Sequence, residues 1–275
     1  MIVPARGNEL GTRFADLLQR KDCCNREGYD VCRTDFIEGI WDHLTKKLAE
    51  PASHAEGLFR HFSEEEVSSF LNAAQLKSER RGAFFFREGD STDGLHMLTK
   101  GRVRLYQSTS AGHHALVRFV EPGEVFGLMG LLPVSNQAMS AQLLEDSEAL
   151  FWPRDNAARL MEENPKLVAN MFALAVRQLD ELRERYVYLS TQTAERRVAW
   201  ALKRLAQRER RKGTTFFVVP RAFGKKDLAD MAGTTIYTVS RVLSKWARAG
   251  IIVNSHGEIL LAQPKTVSQI AKALA

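Results

Sequence analysis

Cysteine is scarce: the 275 residues hold three, Cys23, Cys24 and Cys32, two of them adjacent. That argues against a disulfide framework, and a reducing, cytoplasmic location is the expectation. No uninterrupted apolar run is long enough to cross a membrane, so no membrane partner is expected. The stretch 1–7 lacks the apolar core of a signal peptide. No Walker-type or hydrolase motif occurs, so the chain reads as no enzyme. Acidic residues are rare in the last third. Residues 191–275 hold five Asp/Glu against sixteen Lys/Arg, a formal +11. Residues 1–190 carry a formal −5, a segregation that the whole-chain +6 hides. Such a basic domain attracts phosphate by counterion release, whatever the base sequence. RNA and anionic membranes also meet basic surfaces, so the spacing of residues has to choose.

The spacing is found in Lys225–Trp246, which reads as two short helices broken at Gly233. Gly233 can adopt the left-handed conformation of a tight helix-to-helix turn, and Thr234 or Thr235 can cap the second helix. On that helix Val239, Val242, Leu243 and Trp246 share one face. Tyr237, Ser240, Arg241, Ser244, Lys245 and Arg248 share the other. An ordinary amphipathic surface helix has the same two faces. The residues after the helix separate the two readings: Ile251-Ile252-Val253 is a strand, 254–257 a turn and Glu258–Leu261 a second strand. Phe216–Val219 is a further short strand before the helices. A hairpin directly after a helix-turn-helix is a wing, so the C-terminal part is a winged helix-turn-helix. Thr235, Ile236, Tyr237, Ser240, Arg241 and Lys245 are its candidate DNA-binding residues, with Ser240 able to reach a base edge or a phosphate, and Lys225 and Lys226 are its candidate phosphate contacts.

The middle of the chain has another period. Glycines 82, 89, 94, 101, 112, 123 and 127 punctuate short apolar runs such as Leu95–Leu98 and Val103–Tyr106. Val103 and Leu105, and Ala115, Val117 and Phe119, alternate as half-buried strands do. The expectation is a small jelly roll, entered by a helix capped at Ser63 in Ser63-Glu64-Glu65-Glu66. From 164 to 189 there is no glycine, and Pro165 suits a first helical turn. Val168, Phe172, Ala175, Leu179, Leu182, Tyr186 and Leu189 succeed one another by alternating steps of four and three, a coiled-coil seam of about three heptads. A helix packed on its own barrel is the other reading of this stripe; Met171, Leu174 and Val176 extend the apolar surface enough for both. The fold class is therefore α+β. An N-terminal extension (1–50) with its cysteines precedes a jelly-roll sensor domain (51–160). A dimerisation helix (161–192) then leads to the winged helix-turn-helix (193–275).

This order of parts resembles the cyclic-AMP receptor protein/Fnr family of bacterial transcription regulators over residues 57–275. The resemblance is carried by Gly101-Arg102-Val103-Arg104-Leu105, Pro122–Gly127, Ala194–Ala199 and Thr238–Leu243. It implies a homodimer that binds a palindromic promoter site on double-stranded DNA and often contacts RNA polymerase. It also implies that Arg241 pairs with a guanine, and that Tyr237 stands where relatives usually have a Glu. In members that bind cyclic AMP, a Glu accepts from the ribose and an Arg neutralises the phosphate. The matching segments here are Gly127-Leu128-Met129-Gly130 and Ala138-Met139-Ser140-Ala141, with Leu128 for the Glu and Met139 for the Arg. Each lost charge-assisted hydrogen bond is worth about 1.5–3 kcal/mol, so cyclic AMP is not the expected effector. Gly127, Leu128, Met129, Met139 and Ser140 are the candidate effector-pocket residues, and the apolar cleft suggested by Leu128, Met129, Leu131, Leu132 and Met139 is plain core or holds an apolar ligand.

Fnr-type members hold an iron–sulfur cluster on N-terminal cysteines plus one in the barrel, where this chain has Leu150. Cys23, Cys24 and Cys32 leave a cluster one ligand short of four. An iron–sulfur cluster, a thiol redox switch and inert cysteines all stay open. Heme, which other relatives use to sense gases, would draw on His96, His113, His114 or Met129. Phe14, Leu17 and Leu18, then Phe36, Ile37, Ile40, Trp41 and Leu44, form two short amphipathic segments around the cysteines. Two alternatives come from other classes. A cupin metalloenzyme needs two histidines one residue apart, whereas His113 and His114 are adjacent and would point to opposite faces of a strand. An effector-independent DNA-coating protein would bind without sequence preference.

Overall fold

The computed structural model describes residues 58–108, 114–132, 136–211, 214–255 and 257–272. The N-terminal extension with Cys23, Cys24 and Cys32 lies outside these residues, as does His113. Helix α1 (Glu64–Asn72) opens with the expected cap. Ser63 Oγ accepts from the Glu66 N–H at 3.2 Å, and the Glu66 carboxylate accepts from the Ser63 N–H at 2.6 Å.

The strands after α1 are β1 (Gln75–Glu79), β2 (Phe84–Phe86), β3 (Gly94–Lys100), β4 (Val103–Ser108), β5 (His114–Val120), β6 (Val125–Phe126), β7 (Ser140–Leu143) and β8 (Ser147–Pro153). They form two antiparallel four-stranded sheets, β1-β8-β3-β6 and β2-β7-β4-β5, the expected jelly roll. Alternation in β5 is shifted from expectation. Leu116 and Val120 are its buried residues, and Val117 and Phe119 are only half-buried. A register shift at Leu105/Tyr106 in the β4–β5 ladder displaces the period by one residue. Trp152 of β8 is fully buried, and its Nε1 donates to Phe70 O at 2.8 Å, tying the roll to α1. The backbones crowd where Gly130 meets β3: a Cβ on Gly130 would lie 2.0 Å from Gly94 O.

His96 sits at the centre of the roll, fully buried among Phe85, Phe86, Phe126 and Phe151. Neither ring nitrogen has a hydrogen-bond partner. Burial, helped by the charge of Lys77, lowers its pKa from 6.5 to about 3. The ring is thus neutral when folded and takes up a proton once unfolded. Stability is unaffected by this group above pH 6.5. It falls as pH drops from there towards 3, by up to about 1.4 kcal/mol per pH unit. The variant His96→Phe is expected to flatten this slope in urea unfolding measured between pH 7 and pH 4; an unchanged slope would assign the acid sensitivity to other groups.

Helix α2 (Arg154–Glu163) leads to the long helix α3 (Pro165–Thr191), which begins at proline as expected. Leu167, Met171 and Leu174 bury their side chains against the roll. The expected seam lies on another face. Val168, Phe172, Leu179, Leu182 and Tyr186 are exposed, Phe172 and Tyr186 at 71% and Leu179 at 66%. Ala175 is exposed beside them, as is Val176. Leu189 departs from the stripe. It is half-buried inside its own chain, and its Cδ2 would touch a Cβ on Gly233 at 2.6 Å.

The C-terminal part holds α4 (Ala194–Leu205), β9 (Gln207–Arg211), β10 (Thr214–Val219), α5 (Lys225–Ala232), α6 (Ile236–Arg248), β11 (Ile252–Ser255), β12 (Glu258–Leu261) and α7 (Pro264–Ala271). The strands form a sheet in the order β11-β12-β10-β9. The wing turn is tighter than its sequence implies. Asn254 and Ser255, read as turn, belong to β11 and pair with Ile259 and Glu258. Gly233 has φ 56°, the left-handed turn expected of it, and Thr235 caps α6 by accepting from the Thr238 N–H at 3.2 Å.

Candidate DNA interface and effector cavity

The apolar face of α6, Val239, Val242, Leu243 and Trp246, is buried in a core shared with α4, α5, the wing strands and α7. Burial of each such side chain contributes about 1.5–3 kcal/mol, so the helix cannot roll about its axis, and its other face is held outward. Tyr237 stands 88% exposed, with Ile236 half out of the surface beside it. Arg241 and Ser244 are exposed further along the helix, and Ser240, just before Arg241, is half-buried. Thr235 is occupied as the cap. Lys245 is exposed but engaged: its Nζ lies 2.9 Å from Glu195 Oε1. The same carboxylate oxygen accepts from Trp246 Nε1 at 3.0 Å. The Lys245 hydrogen bond first, then that of Trp246, holds the Glu195 carboxyl below its ordinary pKa. Glu195, at the start of α4, therefore braces α6 from behind, a role that its sequence position does not signal. Lys225 and Lys226 are exposed on the first turn of α5, with Lys226 Nζ 3.8 Å from Asp230 Oδ2.

The DNA-binding helices are docked onto the roll. Arg185 of α3 donates through Nη1 to Leu116 O and, at 3.1 Å, to Val117 O of β5. Its Nη2 donates to Asp230 O of α5 at 2.8 Å. Arg104 of β4 lies 3.6 Å from Asp227 of α5. Asp227 is buried, which raises its pKa, while the Gly224 N–H at 2.8 Å and Arg104 pull the other way. The rings of Phe119 and Phe223 meet edge-on at 4.8 Å. Leu116, a strand residue of the roll, packs in the core of the DNA-binding part.

Between the roll, α3 and the DNA-binding helices lies a cavity of about 580 Å³. Four of the five expected pocket residues line it: Gly127, Leu128, Met129 and Met139. Ser140 does not. It is a buried residue of β7, and its Oγ accepts from the Glu88 N–H at 2.9 Å. Leu131 and Leu132 do not line the cavity either: Leu131 packs against the core that the roll shares with α1, α2 and α3, and Leu132 is exposed. The cavity reaches beyond those residues to Leu179 and Leu182 of the seam, to Trp200 and Leu205 of α4 and to Met231 of α5. Its buried ion pair, Arg118–Glu124 at 3.0 Å, has no signal in the sequence. The candidate heme ligands are not gathered into one site. Met129 faces the cavity, His96 lies behind Phe86 and Phe126, and His114 stacks on Tyr106 at 4.3 Å. Among the described residues, no group of three or more His, Cys, Asp or Glu is placed to hold a metal ion.

Comparison with known proteins bears on the same two regions. The family model of the cyclic nucleotide-binding domain matches residues 76–164. That of the Crp-like helix-turn-helix domain matches residues 196–274. A protein named cyclic AMP receptor protein, from Thermus thermophilus, is 32% identical over 218 residues, covering 79% of this chain and 98% of the relative. The chain belongs to the Crp/Fnr family of transcription regulators. A second Crp/Fnr relative, the nitrogen fixation regulation protein FixK of Bradyrhizobium diazoefficiens, is 34% identical over 222 residues, 75% of this chain and 90% of its own. The structure of FixK2 from Bradyrhizobium japonicum shares the fold with a TM-score of 0.65 at 23% identity, covering 74% of this chain and 99% of that one. As a Crp/Fnr protein the chain is a transcription regulator with a DNA-binding helix-turn-helix, not an enzyme, and the cupin alternative falls away. No helix among its described residues is long and apolar enough to cross a membrane.

Proposed function

We propose that this regulator is a cytoplasmic homodimer that binds a palindromic promoter site through two copies of α6 and acts there with RNA polymerase. We infer further that its signal is not cyclic AMP and is read at the cavity bounded by Leu128, Met129 and Met139. The observation that carries the effector reading is that both Leu128 and Met139 line the cavity. Leu128 cannot accept from a ribose hydroxyl, and Met139 cannot neutralise a cyclic phosphate. The dimer reading rests on the exposed apolar stripe of α3. A monomer rarely leaves Phe172, Leu179 and Tyr186 in contact with water on one helix face. A parallel pair of such helices would set two recognition helices about one DNA turn apart.

Selection from random DNA tests this reading. The wild-type protein is expected to enrich a two-fold symmetric site, with two half-sites one helical turn apart. Adding cyclic AMP should change its affinity for that site by less than about twofold, since the lost contacts correspond to several powers of ten in nucleotide affinity. Enrichment of no motif would favour the DNA-coating alternative. Saturable cyclic AMP binding in calorimetry, with tighter operator binding, would overturn the effector reading.

A further inference from the structure

The cavity is walled by the roll, by α3 and by the DNA-binding part, and its unpaired buried polar atoms are of one kind. Gln137 is 3% exposed and lines the cavity, and its Nε2 has no acceptor. Arg185 also lines it. Both of its terminal nitrogens are taken up by backbone carbonyls, while its buried Nε has no acceptor. Both orphans are donors, so what is missing is an acceptor. The wall's charges cancel. Arg118, Arg185 and Arg204 stand against Glu121, Glu124 and Glu181, with Arg118–Glu124 and Arg204–Glu181 paired at 3.0 and 2.8 Å. An anion gains no net attraction there, and a cation finds donors where it needs acceptors. The rest of the wall is mostly apolar, from Leu128 and Met139 in the roll to Trp200 and Met231 in the DNA-binding part. A volume of about 580 Å³ falls within the range of small-molecule sites.

We propose that this cavity binds an uncharged, largely apolar molecule with a carbonyl-type acceptor, a ketone, ester or lactone. The acceptor meets Gln137, and the apolar body bridges the roll to α4 and α5. The proposal rests on the effector reading above and adds to it the ligand class and the route of coupling. Met231 belongs to α5, which carries Lys225 and Lys226 at its other end and precedes α6 through the Gly233 turn. A ligand in the cavity would thus touch the DNA-binding helices themselves, with no relay needed.

The probe is methyl nonyl ketone, compared with undecanoate, on the full-length protein by calorimetry and by DNA-binding titration. The ketone should bind saturably, one per chain, and about tenfold more tightly than the carboxylate. At saturation it should change affinity for the selected palindrome by about fivefold or more. Ala138 is exposed and lines the cavity; Ala138→Trp should fill the space and abolish ketone binding. Gln137→Leu, which keeps the volume, should erase the preference for ketone over carboxylate. Tighter binding of undecanoate would overturn the ligand class. No binding of either probe to a dimer that still selects its palindrome would mean that a second copy's seam side chains occupy the cavity, and the proposal fails. Loss of DNA selection without any ligand would instead sink the DNA-binding reading on which it stands.

Discussion

Replacing Phe172 with Asp, or Leu179 and Leu182 together with Asp, is expected to leave a monomer in sedimentation and to weaken binding to a two-half-site DNA about 100-fold or more. An unpaired carboxylate buried in a helix seam costs several kcal/mol. A single recognition helix forfeits the second half-site, whose contribution is effectively intramolecular in the dimer. The two variants separate two roles of the same helix. Leu179 and Leu182 also line the cavity, whereas Phe172 is exposed and lies outside it. If both variants stay dimeric, the interface lies elsewhere on the chain. If only the double variant loses DNA affinity, the effect comes from the cavity rather than from the seam.

The second large effect concerns base reading. Arg241 is exposed on the outward face of α6 and no carboxylate is paired with it among the described residues. A guanidinium there can donate to guanine O6 and N7 together, worth about 1–3 kcal/mol of discrimination in each half-site. In selections from random DNA, Arg241→Ala is expected to lose preference at one guanine per half-site. Tyr237, the most exposed large hydrophobic side chain of the helix, offers a hydroxyl or a ring to a base edge or a thymine methyl. Tyr237→Glu should shift preference towards the sites of relatives that carry that Glu, because a carboxylate accepts from cytosine. Substitutions at Lys225 and Lys226 should instead weaken all sequences alike and flatten the salt dependence. An Arg241→Ala protein that selects the wild-type motif would show that another face reads the bases. Lys245 is the weaker candidate reader. Contact with DNA requires it to leave Glu195, and that exchange of one ion pair for another yields little at a surface.

These outcomes depend on features of unequal legibility in the sequence. The helix-turn-helix is readable because it is local: Gly233, the Thr235 cap and a four-residue apolar face lie within one short segment. The long helix is readable because it lacks glycine and repeats its apolar residues by fours and threes. The cavity is partly readable, since Leu128 and Met139 depart from a known pattern. Its far wall is not, because Trp200 and Met231 reach it only through the docking of α4 and α5. Strand β9 has the sequence Gln-Arg-Glu-Arg-Arg, with no apolar alternation to betray it. Asn254 and Ser255 look like turn because polar residues also suit the edge strand of a wing. Ser140 has the chemistry of a ligand contact, yet a backbone N–H fifty-two residues away claims its oxygen. Glu195 with Lys245, and Arg104 with Asp227, are pairs between distant polar residues, and polar pairing across a fold leaves no period in the chain.

The docking of the roll onto the DNA-binding helices has a consequence for how such a protein can diverge. Leu116 is a strand residue of one domain that sits in the core of the other, and Phe119 and Arg104 meet Phe223 and Asp227 across the same boundary. The two halves are therefore not interchangeable modules. A recombination event that joined this reading head to a foreign sensor would leave a hole where Leu116 belongs and a buried Asp227 without its cation. A new sensor on this reading head would need compensating changes on both sides of the boundary, at Leu116, Phe119 and Arg104 and at the residues they meet.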